Sequence, residues 1–206
     1  MKDTDRQLVE YRLRDGRAVL LGPVGPQDKQ RLRDGIARLS RNSRYLRFFS
    51  PTAQLTEEQL DYLVNVDQVN HVAWGALEPV RPHLPGLGLG RFVRDRDQPE
   101  VAEMAVAVVD DWQGRGLGTV LLGLLWLSAR HRGITALRSL ILPENDITRH
   151  WLIALGAAMR NRGDHFECEL PVVADLRLLP ETASAQRFAA VVAELQTTLR
   201  DGGLTA

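Results

Sequence analysis

The clearest pattern in the chain is a change of hydrophobic period between residues 104 and 131. An apolar run from Met104 to Val109 ends at two aspartates, and the glycine-rich segment Gln113–Gly118 follows. The segment Gly116–His131 is then nearly apolar on all sides. A short apolar run, a glycine-rich turn and a long apolar segment predict a buried strand, a turn and a largely buried helix.

Shorter patterns on either side predict the remaining elements. Alternating apolar and charged residues flank Asp15-Gly16, a dipeptide typical of a tight hairpin turn. Thr56 followed by Gln59 is typical of a capping box at a helix start. Strands are predicted at residues 8–13, 17–21, 69–77, 100–109, 136–142, 158–162 and 166–170. Helices are predicted at residues 27–40, 56–63, 116–131, 145–155 and 183–199.

The order of elements around the glycine-rich turn indicates the topology. A strand, a turn, a helix and a second strand imply a parallel strand pair joined by a right-handed crossover. A second glycine-rich run, Gly86–Gly90, is not followed by a helix. We therefore interpret the Pro82–Gly90 segment as a flexible entry to a hairpin and not as a phosphate loop.

Composition narrows the class of protein. The 206 residues suggest one domain or slightly more. Lys and Arg total 26, as do Asp and Glu, so the bulk charge favours neither nucleic acid nor an anionic membrane as a partner. Residues 43–51 are rich in aromatics and arginine, but they form a single cluster, so we do not expect nucleic-acid contact.

Apolar stretches and cysteine usage indicate the cellular compartment. No stretch reaches the ~20 apolar residues that span a bilayer, and residues 1–6 lack the apolar region of a signal peptide. Cys168 is the only cysteine, so no intrachain disulfide can form. Glu167 and Glu169 flank Cys168 and disfavour its thiolate, so we expect an ordinary strand residue. Together these features predict a soluble, cytoplasmic protein.

The glycine-rich turn is the main candidate for a binding site. Backbone N–H groups at the start of a helix have no partner inside the helix and lie at the positive end of its dipole. Glycine lets the oxygens of a ligand approach these amides, because no Cβ stands in the way. The turn is therefore suited to a phosphate or pyrophosphate. Histidine, cysteine and acidic residues show no spacing typical of a closed metal site, so we expect no catalytic metal.

The turn resembles the signature of the GCN5-related N-acetyltransferase (GNAT) family, Gln/Arg-x-x-Gly-x-Gly/Ala. Gln113, Gly116 and Gly118 fill its defining positions, and Val108 lies where the preceding strand of the family usually carries a valine. The resemblance covers about residues 8–171 and is strongest for the protein-lysine acetyltransferase branch. It implies an α/β (α+β) fold, with a mixed, mostly antiparallel sheet that is splayed beside the signature strand and flanked by helices.

The resemblance also implies the contacts with the co-substrate. The turn would hold the pyrophosphate of acetyl-CoA, and the backbone of the preceding strand would pair with the pantetheine amides. An asparagine after the next strand commonly contacts the cofactor in the family. The implied cofactor-binding residues are Val106, Val108, Gln113, Gly114, Arg115, Gly116, Leu117, Gly118, Thr119 and Asn145.

Glu103 is the candidate general base. It is the carboxylate in an otherwise apolar run from Val101 to Val109. A carboxylate so placed loses hydration unless it is paired, which favours its protonated form and strengthens it as a base. By resemblance, the glutamate ten residues before the signature glutamine is the proposed base in the lysine acetyltransferase branch. A strand-end residue held in a salt bridge is the alternative.

Three further positions border the implied site. His71 is a secondary catalytic candidate, although a strand histidine is more often structural. Residues 43–51 resemble a family segment that implies a packed wall of the acceptor cleft, and Phe48 and Phe49 are expected in the core beneath a loop. Many family members carry, at the position of Leu152, a tyrosine that protonates the leaving thiolate. Its absence leaves that step to water, to another group or to no dedicated acid.

These observations predict an N-acetyltransferase that moves an acetyl group from acetyl-CoA to a primary amine by direct attack, and the resemblance favours a protein lysine. The alternatives are an enzyme for a small-molecule amine and a catalytically silent acyl-CoA-binding regulatory protein. Residues 1–180 are expected to form the acetyltransferase domain, and residues 181–206 a C-terminal amphipathic helix and tail. That helix is expected to dock on its own core, and pairing with a second copy as a homodimer is the alternative.

Overall fold

Eight strands form one mixed sheet in the computed structural model, which describes residues 7–50, 55–81, 83 and 85–204. The strands are β1 (Val9–Arg12), β2 (Ala18–Pro23), β3 (His71–Leu77), β4 (Gly88–Arg94), β5 (Val101–Val108), β6 (Ala136–Ile141), β7 (Ala158–Asn161) and β8 (Phe166–Pro171). The helices are α1 (Lys29–Ala37), α2 (Arg41–Phe48), α3 (Glu57–Val64), α4 (Leu117–His131), α5 (Asp146–Ala154) and α6 (Ala183–Asp201). The strand order is β1-β2-β3-β4-β5-β6-β8-β7.

Only the central pair β5–β6 is parallel among the paired strands of the described sheet; the other neighbours are antiparallel. Helix α4 connects this pair, which confirms the predicted crossover. The two strands are in register only from Val101↔Ala136 to Glu103↔Arg138. Beyond Glu103 they diverge, although β5 continues to Val108 and β6 to Ile141. The predicted splay beside the signature strand is therefore present.

The peptide groups of β5 point alternately towards β4 and into this gap. On the β4 side, the amide of Val109 donates to the carbonyl of Leu87 at 3.0 Å, and the β4–β5 register runs without interruption from Val108 to Ala102. Successive residues of a strand direct their N–H and C=O groups to opposite sides. The peptide groups of Val106 and Val108 therefore point away from β4 and into the gap.

The last part of the glycine-rich run, residues 88–90, is strand and not a flexible entry, which corrects that part of the prediction. Gly88 and Gly90 lie within β4 and pair with β3 and β5. A Cβ on Gly88 would lie 2.9 Å from Leu121 Cδ1, and one on Gly90 would lie 3.3 Å from the Cβ of Leu121. The glycines therefore let α4 approach the sheet closely, because a side chain at either position would meet this helix. Pro82, at the start of the predicted segment, lies outside the described residues.

Helix α6 closes the core on the α4 side of the sheet. Its apolar face contacts α4, where the rings of Phe188 and Trp126 meet edge to face at 6.1 Å between centroids. A Cβ on Gly123 would lie 2.9 Å from Leu195 Cδ1, so the two helices are in close contact. The apolar face of α6 is thus covered by the chain itself. Its buried residues are Ala185, Phe188, Val192, Leu195 and Leu199.

Helix α2 is an element that the hydrophobic pattern does not predict. Its N-cap is Ser40, whose hydroxyl accepts a hydrogen bond from the amide of Ser43 at 3.1 Å. It ends at Phe49, which adopts a left-handed conformation with φ of 59°. Because α2 presents no buried residue, its sequence shows no apolar stripe. Pro51, which follows it, and residues 1–6 lie outside the described part of the chain.

No helix among those described is both long and apolar enough to span a lipid bilayer.

Candidate active site

The signature turn presents a row of backbone amides at the start of α4. Gly114 and Gly116 adopt positive φ angles of 70° and 96°, which suit glycine and reverse the chain before the helix. The amide of Val120 donates to the carbonyl of Gly116 at 3.1 Å, at the first turn of the helix. The amides from Gly116 to Thr119 precede that donor and so have no acceptor within the helix.

The space in front of these amides is open. A Cβ on Gly114 or on Gly118 would meet no other atom within 4 Å. The side chain of Leu117 is fully buried, so this residue offers a ligand only its backbone. The residues present therefore fit a diphosphate, because donors, helix dipole and empty space coincide.

The polar side chains of the turn make contacts within the protein. Gln113 Nε2 donates to the carbonyl of Val108 at 3.0 Å and to Ser43 Oγ at 3.2 Å. Arg115 donates to Asp15 Oδ2 at 3.1 Å. Arg14, which the sequence analysis does not identify, donates to the carbonyl of Gly114. These contacts fix the shape of the turn and leave its amides directed outward.

Ser43 and Asp110 connect the turn to α2, a contact that the sequence does not predict, although Ser43 belongs to the segment expected to line the acceptor cleft. Ser43 Oγ donates to Asp110 Oδ1 at 2.9 Å, and the second oxygen of Asp110 accepts from the amide of Ser40 at 2.9 Å. Hydrogen bonds from Ser40 and Ser43 hold the pKa of Asp110 below its usual range, against the effect of its partial burial. The signature turn and the start of α2 are thus joined by a hydrogen-bonded network.

Glu103 lies at the last register pair of β5 and β6, where the splay begins. Its side chain is exposed, although its strand neighbours Ala102 and Met104 are buried. It forms no hydrogen bond or ion pair with any residue that the structure describes. The expected loss of hydration is therefore wrong: alternation along β5 turns this side chain to the open face of the sheet. The alternative of a salt-bridged strand end is not observed either.

A group of aromatic and charged residues occupies the sheet face that carries Glu103. The register places His71 opposite Val93, and Val93 opposite Glu103, on adjacent strands. The ring of Tyr62 lies 5.0 Å from the His71 ring, and the guanidinium carbon of Arg91 lies 5.0 Å from the Tyr62 ring. These side chains form a wall of the open face beside the splay.

His71 is a buried neutral residue. The residue is 9% exposed, and its Nε2 atom has no hydrogen-bond partner among the described residues. Burial lowers its pKa to about 4, and the positive charge of Arg91 acts in the same direction. Two strand spacings separate it from Glu103, roughly 10 Å between backbones. Its placement agrees with the interpretation that His71 is a structural residue and not a catalytic one.

Asn145 and Leu152 lie on the α5 side of the splay. Asn145 is the N-cap of α5, and its Oδ1 accepts from the amide of Thr148 at 3.4 Å. Leu152 is buried at 3% exposure, so the position that carries a tyrosine in many family members here contributes to the core. Trp151, next to it, is half-buried and packs against the same core.

A cavity of about 710 Å³, partly open to solvent, lies between the sheet and helices α1 and α2. Leu89 of β4 and Ala107 of β5 form part of its floor, and Leu32 and Ile36 of α1 form part of its wall. Arg47 of α2 also lines it. The floor is the face of β5 that carries Glu103, because residues 103 and 107 alternate to the same side.

The two phenylalanines of α2 differ from the expectation that both are core residues. Phe48 lines the cavity and is half-buried, whereas Phe49 is 43% exposed. The implied role of this segment as a wall of a cleft is consistent with the position of Phe48. The core prediction for Phe49 is wrong, because the left-handed residue at the end of α2 turns its side chain outward.

The remaining reactive groups lie apart from this face. Cys168 is buried, and burial raises its pKa to about 11, which suppresses a thiolate. Within the described ranges, no three His, Cys, Asp or Glu side chains are arranged to hold a metal ion.

Comparison with known proteins matches this geometry to a family. The family model of the acetyltransferase (GNAT) family matches residues 41–156, more than half of the chain. Acetyltransferase Pat of Mycolicibacterium smegmatis is 35% identical over 153 residues, which cover 72% of this chain and 44% of that protein. Acetyltransferase PA5475 of Pseudomonas aeruginosa is 33% identical over 144 residues, which cover 70% of this chain and 77% of that protein. The chain thus spans less than half the length of the M. smegmatis relative.

Solved structures show the same architecture. The GNAT domain of S. lividans PAT superposes with a TM-score of 0.72 at 25% identity, covering 80% of this chain and 97% of that domain. A cAMP-binding acyltransferase from Mycobacterium smegmatis superposes with a TM-score of 0.60 at 26% identity, covering 96% of this chain and 56% of that protein. The resemblance and the fold class inferred from the sequence are confirmed. The chain belongs to the GNAT acetyltransferase family, near its protein acetyltransferases.

Proposed function

We propose that this protein is an acyltransferase that moves an acetyl group from acetyl-CoA to the side-chain amine of a lysine in another protein. The observation that carries the proposal is the alignment of three features along β5. Glu103 lies where the splay begins, the peptide groups of Val106 and Val108 point into the gap, and the amides of the signature turn follow at its end. This order matches the thioester, pantetheine and diphosphate parts of one extended molecule.

The co-substrate supplies an activated thioester carbonyl. The amides from Gly116 to Thr119, with Gly114 leaving room, hold the diphosphate. Val106 and Val108 pair with the pantetheine amides, and Asn145 approaches from the α5 side. A backbone N–H of β5 in the gap polarises the carbonyl. Gln113 and Arg115 act indirectly, because their side chains maintain the turn.

Glu103 serves as the general base. A lysine amine, with a reference pKa of about 10.4, is almost wholly protonated at neutral pH and must lose a proton before it attacks. The carboxylate of Glu103 is exposed and unpaired within the described chain, so it can accept that proton directly or through one water. Leu152 offers no acid, so water protonates the leaving thiolate. Positioning of the amine in the splay supplies much of the remaining rate.

Charge on the open face favours a lysine in a protein over a polyamine. Arg47 lies close enough to both Glu103 and Arg91 to interact with them electrostatically. His71 is neutral near pH 7, so this group carries two positive charges and one negative charge. A small acceptor with several ammonium groups would be repelled as a whole, whereas a protein presents one amine on a long side chain.

A thiol-release assay with acetyl-CoA tests the proposal. Lysine-containing peptides, polyamines, free amino acids and buffer alone serve as acceptors, and mass spectrometry locates the acetyl group. We expect release of CoA with lysine peptides and acetylation of the lysine amine. Turnover restricted to small amines would refute the lysine acceptor, and tight acetyl-CoA binding without any turnover would refute the mechanism.

A further inference from the structure

Arg47 of α2 places a partly buried guanidinium in the cavity. Its guanidinium carbon lies 4.9 Å from the ring of Phe48, which also lines the cavity. It makes no hydrogen bond and no ion pair with the residues that the structure describes. On the opposite wall, by contrast, Arg31 and Asp28 form an ion pair at 3.2 Å. The Glu103 carboxylate acts on Arg47 without forming an ion pair with it, so the partly buried guanidinium can still bind an anion from outside the chain.

The neighbouring charges do not neutralise Arg47. Arg91 is a second positive charge, and Glu103 is the carboxylate that acts on Arg47. Burial, followed by the repulsion from Arg91, lowers the pKa of Arg47 to about 10, so its side chain remains positive near pH 7. One exposed carboxylate therefore faces two guanidinium groups, and a ligand carboxylate would balance the charge.

The cavity lies on the path of an acceptor to Glu103. Ala107 on its floor and Glu103 share one face of β5, and Arg47 interacts with both regions. When the amine of an acceptor lysine reaches Glu103, the backbone of that lysine is separated from Glu103 by the length of its flexible side chain. The adjoining residue of the same peptide would then lie within reach of the Arg47 guanidinium.

We propose that Arg47 binds the carboxylate of an acidic residue adjacent to the acceptor lysine, so that the enzyme selects lysines with Asp or Glu next to them. This inference rests on the proposed lysine acetylation. Arginine suits the role, because its planar guanidinium donates two parallel hydrogen bonds to a carboxylate. Arg47 would thus be a specificity residue that contacts the substrate, and Glu103 would remain the base.

The test compares two peptides that differ only by Glu or Gln beside the acceptor lysine, assayed with the wild type, Arg47→Gln and Arg41→Gln. Arg41 is an exposed arginine of the same helix and serves as the matched control. With the wild type we expect a KM about tenfold lower for the acidic peptide, as for a charge-assisted hydrogen bond. This difference between the two peptides should vanish in Arg47→Gln and persist in Arg41→Gln, and it should appear in KM and not in kcat.

The outcomes separate this inference from the proposed function. Equal KM values for the two peptides in the wild type would overturn the role of Arg47 but leave lysine acetylation intact. Acetylation of carboxylated small amines with none of any lysine peptide would overturn both. The comparison of the two peptides with the wild-type enzyme does not require the Arg47→Gln variant to fold. If thermal unfolding and CoA binding match the wild type, a preference that persists in Arg47→Gln overturns the assignment to this residue.

Discussion

At the scale of single residues, the exposure of Glu103 determines how it would act. Its carboxylate is reached from solvent without rearrangement of the protein. Its contribution to catalysis therefore depends on its position at the start of the splay. The proton released by the amine can pass to solvent, because the side chain remains accessible.

Replacement of Glu103 by Gln should lower kcat about 100-fold near pH 7, because an amide cannot accept the proton. Acetyl-CoA affinity should change little, since Glu103 lies away from the signature turn. Glu100→Gln, at an exposed position just before β5, is the matched control. Steady-state kinetics across pH and calorimetric CoA titration measure both effects. A Glu103→Gln enzyme with wild-type kcat at every pH would exclude Glu103 as the base.

His71 should make the fold sensitive to mild acid. Its pKa is about 4 in the folded protein and about 6.5 when unfolded. Between these values the unfolded chain binds the proton and the folded chain does not, so stability is full above pH 6.5 and declines as the pH falls toward 4. The loss approaches about 3 kcal/mol from this residue.

Urea unfolding between pH 4 and pH 7 measures this effect. His71→Gln should show a shallower decline in the free energy of unfolding than the wild type, because the titrating group is gone. His150→Gln, which removes an exposed histidine, should follow the wild-type curve. If the free energy of unfolding declined in parallel for the wild type and both variants, the pKa of His71 would be the same in the folded and unfolded states.

At the scale of elements, the strand, turn and helix from β5 to α4 form the functional unit. Gly118 lies in the first turn of α4, where a Cβ would contact no protein atom. Gly118→Ala should therefore keep or raise the stability of the helix, by up to about 1 kcal/mol. The added methyl would occupy the space of the diphosphate and weaken CoA binding by about tenfold or more.

Thermal unfolding and calorimetric CoA titration measure the two effects of Gly118→Ala. His131→Ala changes an exposed position at the other end of α4 and should leave CoA affinity unchanged. Full CoA affinity in a stable Gly118→Ala protein would place the diphosphate elsewhere.

The sequence predicts this unit because its signals are local. The apolar run before Gln113, the glycines and the long apolar helix are contiguous. Helix α2 has no comparable signal, because none of its residues is buried and its sequence therefore lacks an apolar stripe. The contact of Gln113 with Ser43 joins residues 70 positions apart. The exposure of Glu103 depends on which face of the assembled sheet stays open, and the apolar run around this residue does not show that face.

At the scale of the whole molecule, α6 completes the core beneath the sheet. Phe188→Ala should destabilise the protein by roughly 3–5 kcal/mol, because it removes a fully buried ring that contacts Trp126. Arg187→Ala, at the exposed neighbouring position, should cost little. Urea unfolding followed by circular dichroism compares the two. A cost below about 1 kcal/mol for Phe188→Ala would show that the fold does not depend on the docking of α6.

The divergence of β5 and β6 has a further consequence. Past Glu103, β5 behaves as an edge strand located inside a sheet, because its peptide groups on one side have no neighbouring strand to pair with. Exposed edges elsewhere invite self-association, because another chain can add to them. Here β6 and β8 close the far side of the gap, so a whole sheet cannot dock, while one narrow, extended, amide-bearing molecule can. An extended ligand could therefore form backbone hydrogen bonds with β5, as in β-augmentation, while the closed gap keeps another protein chain from adding to the same strand.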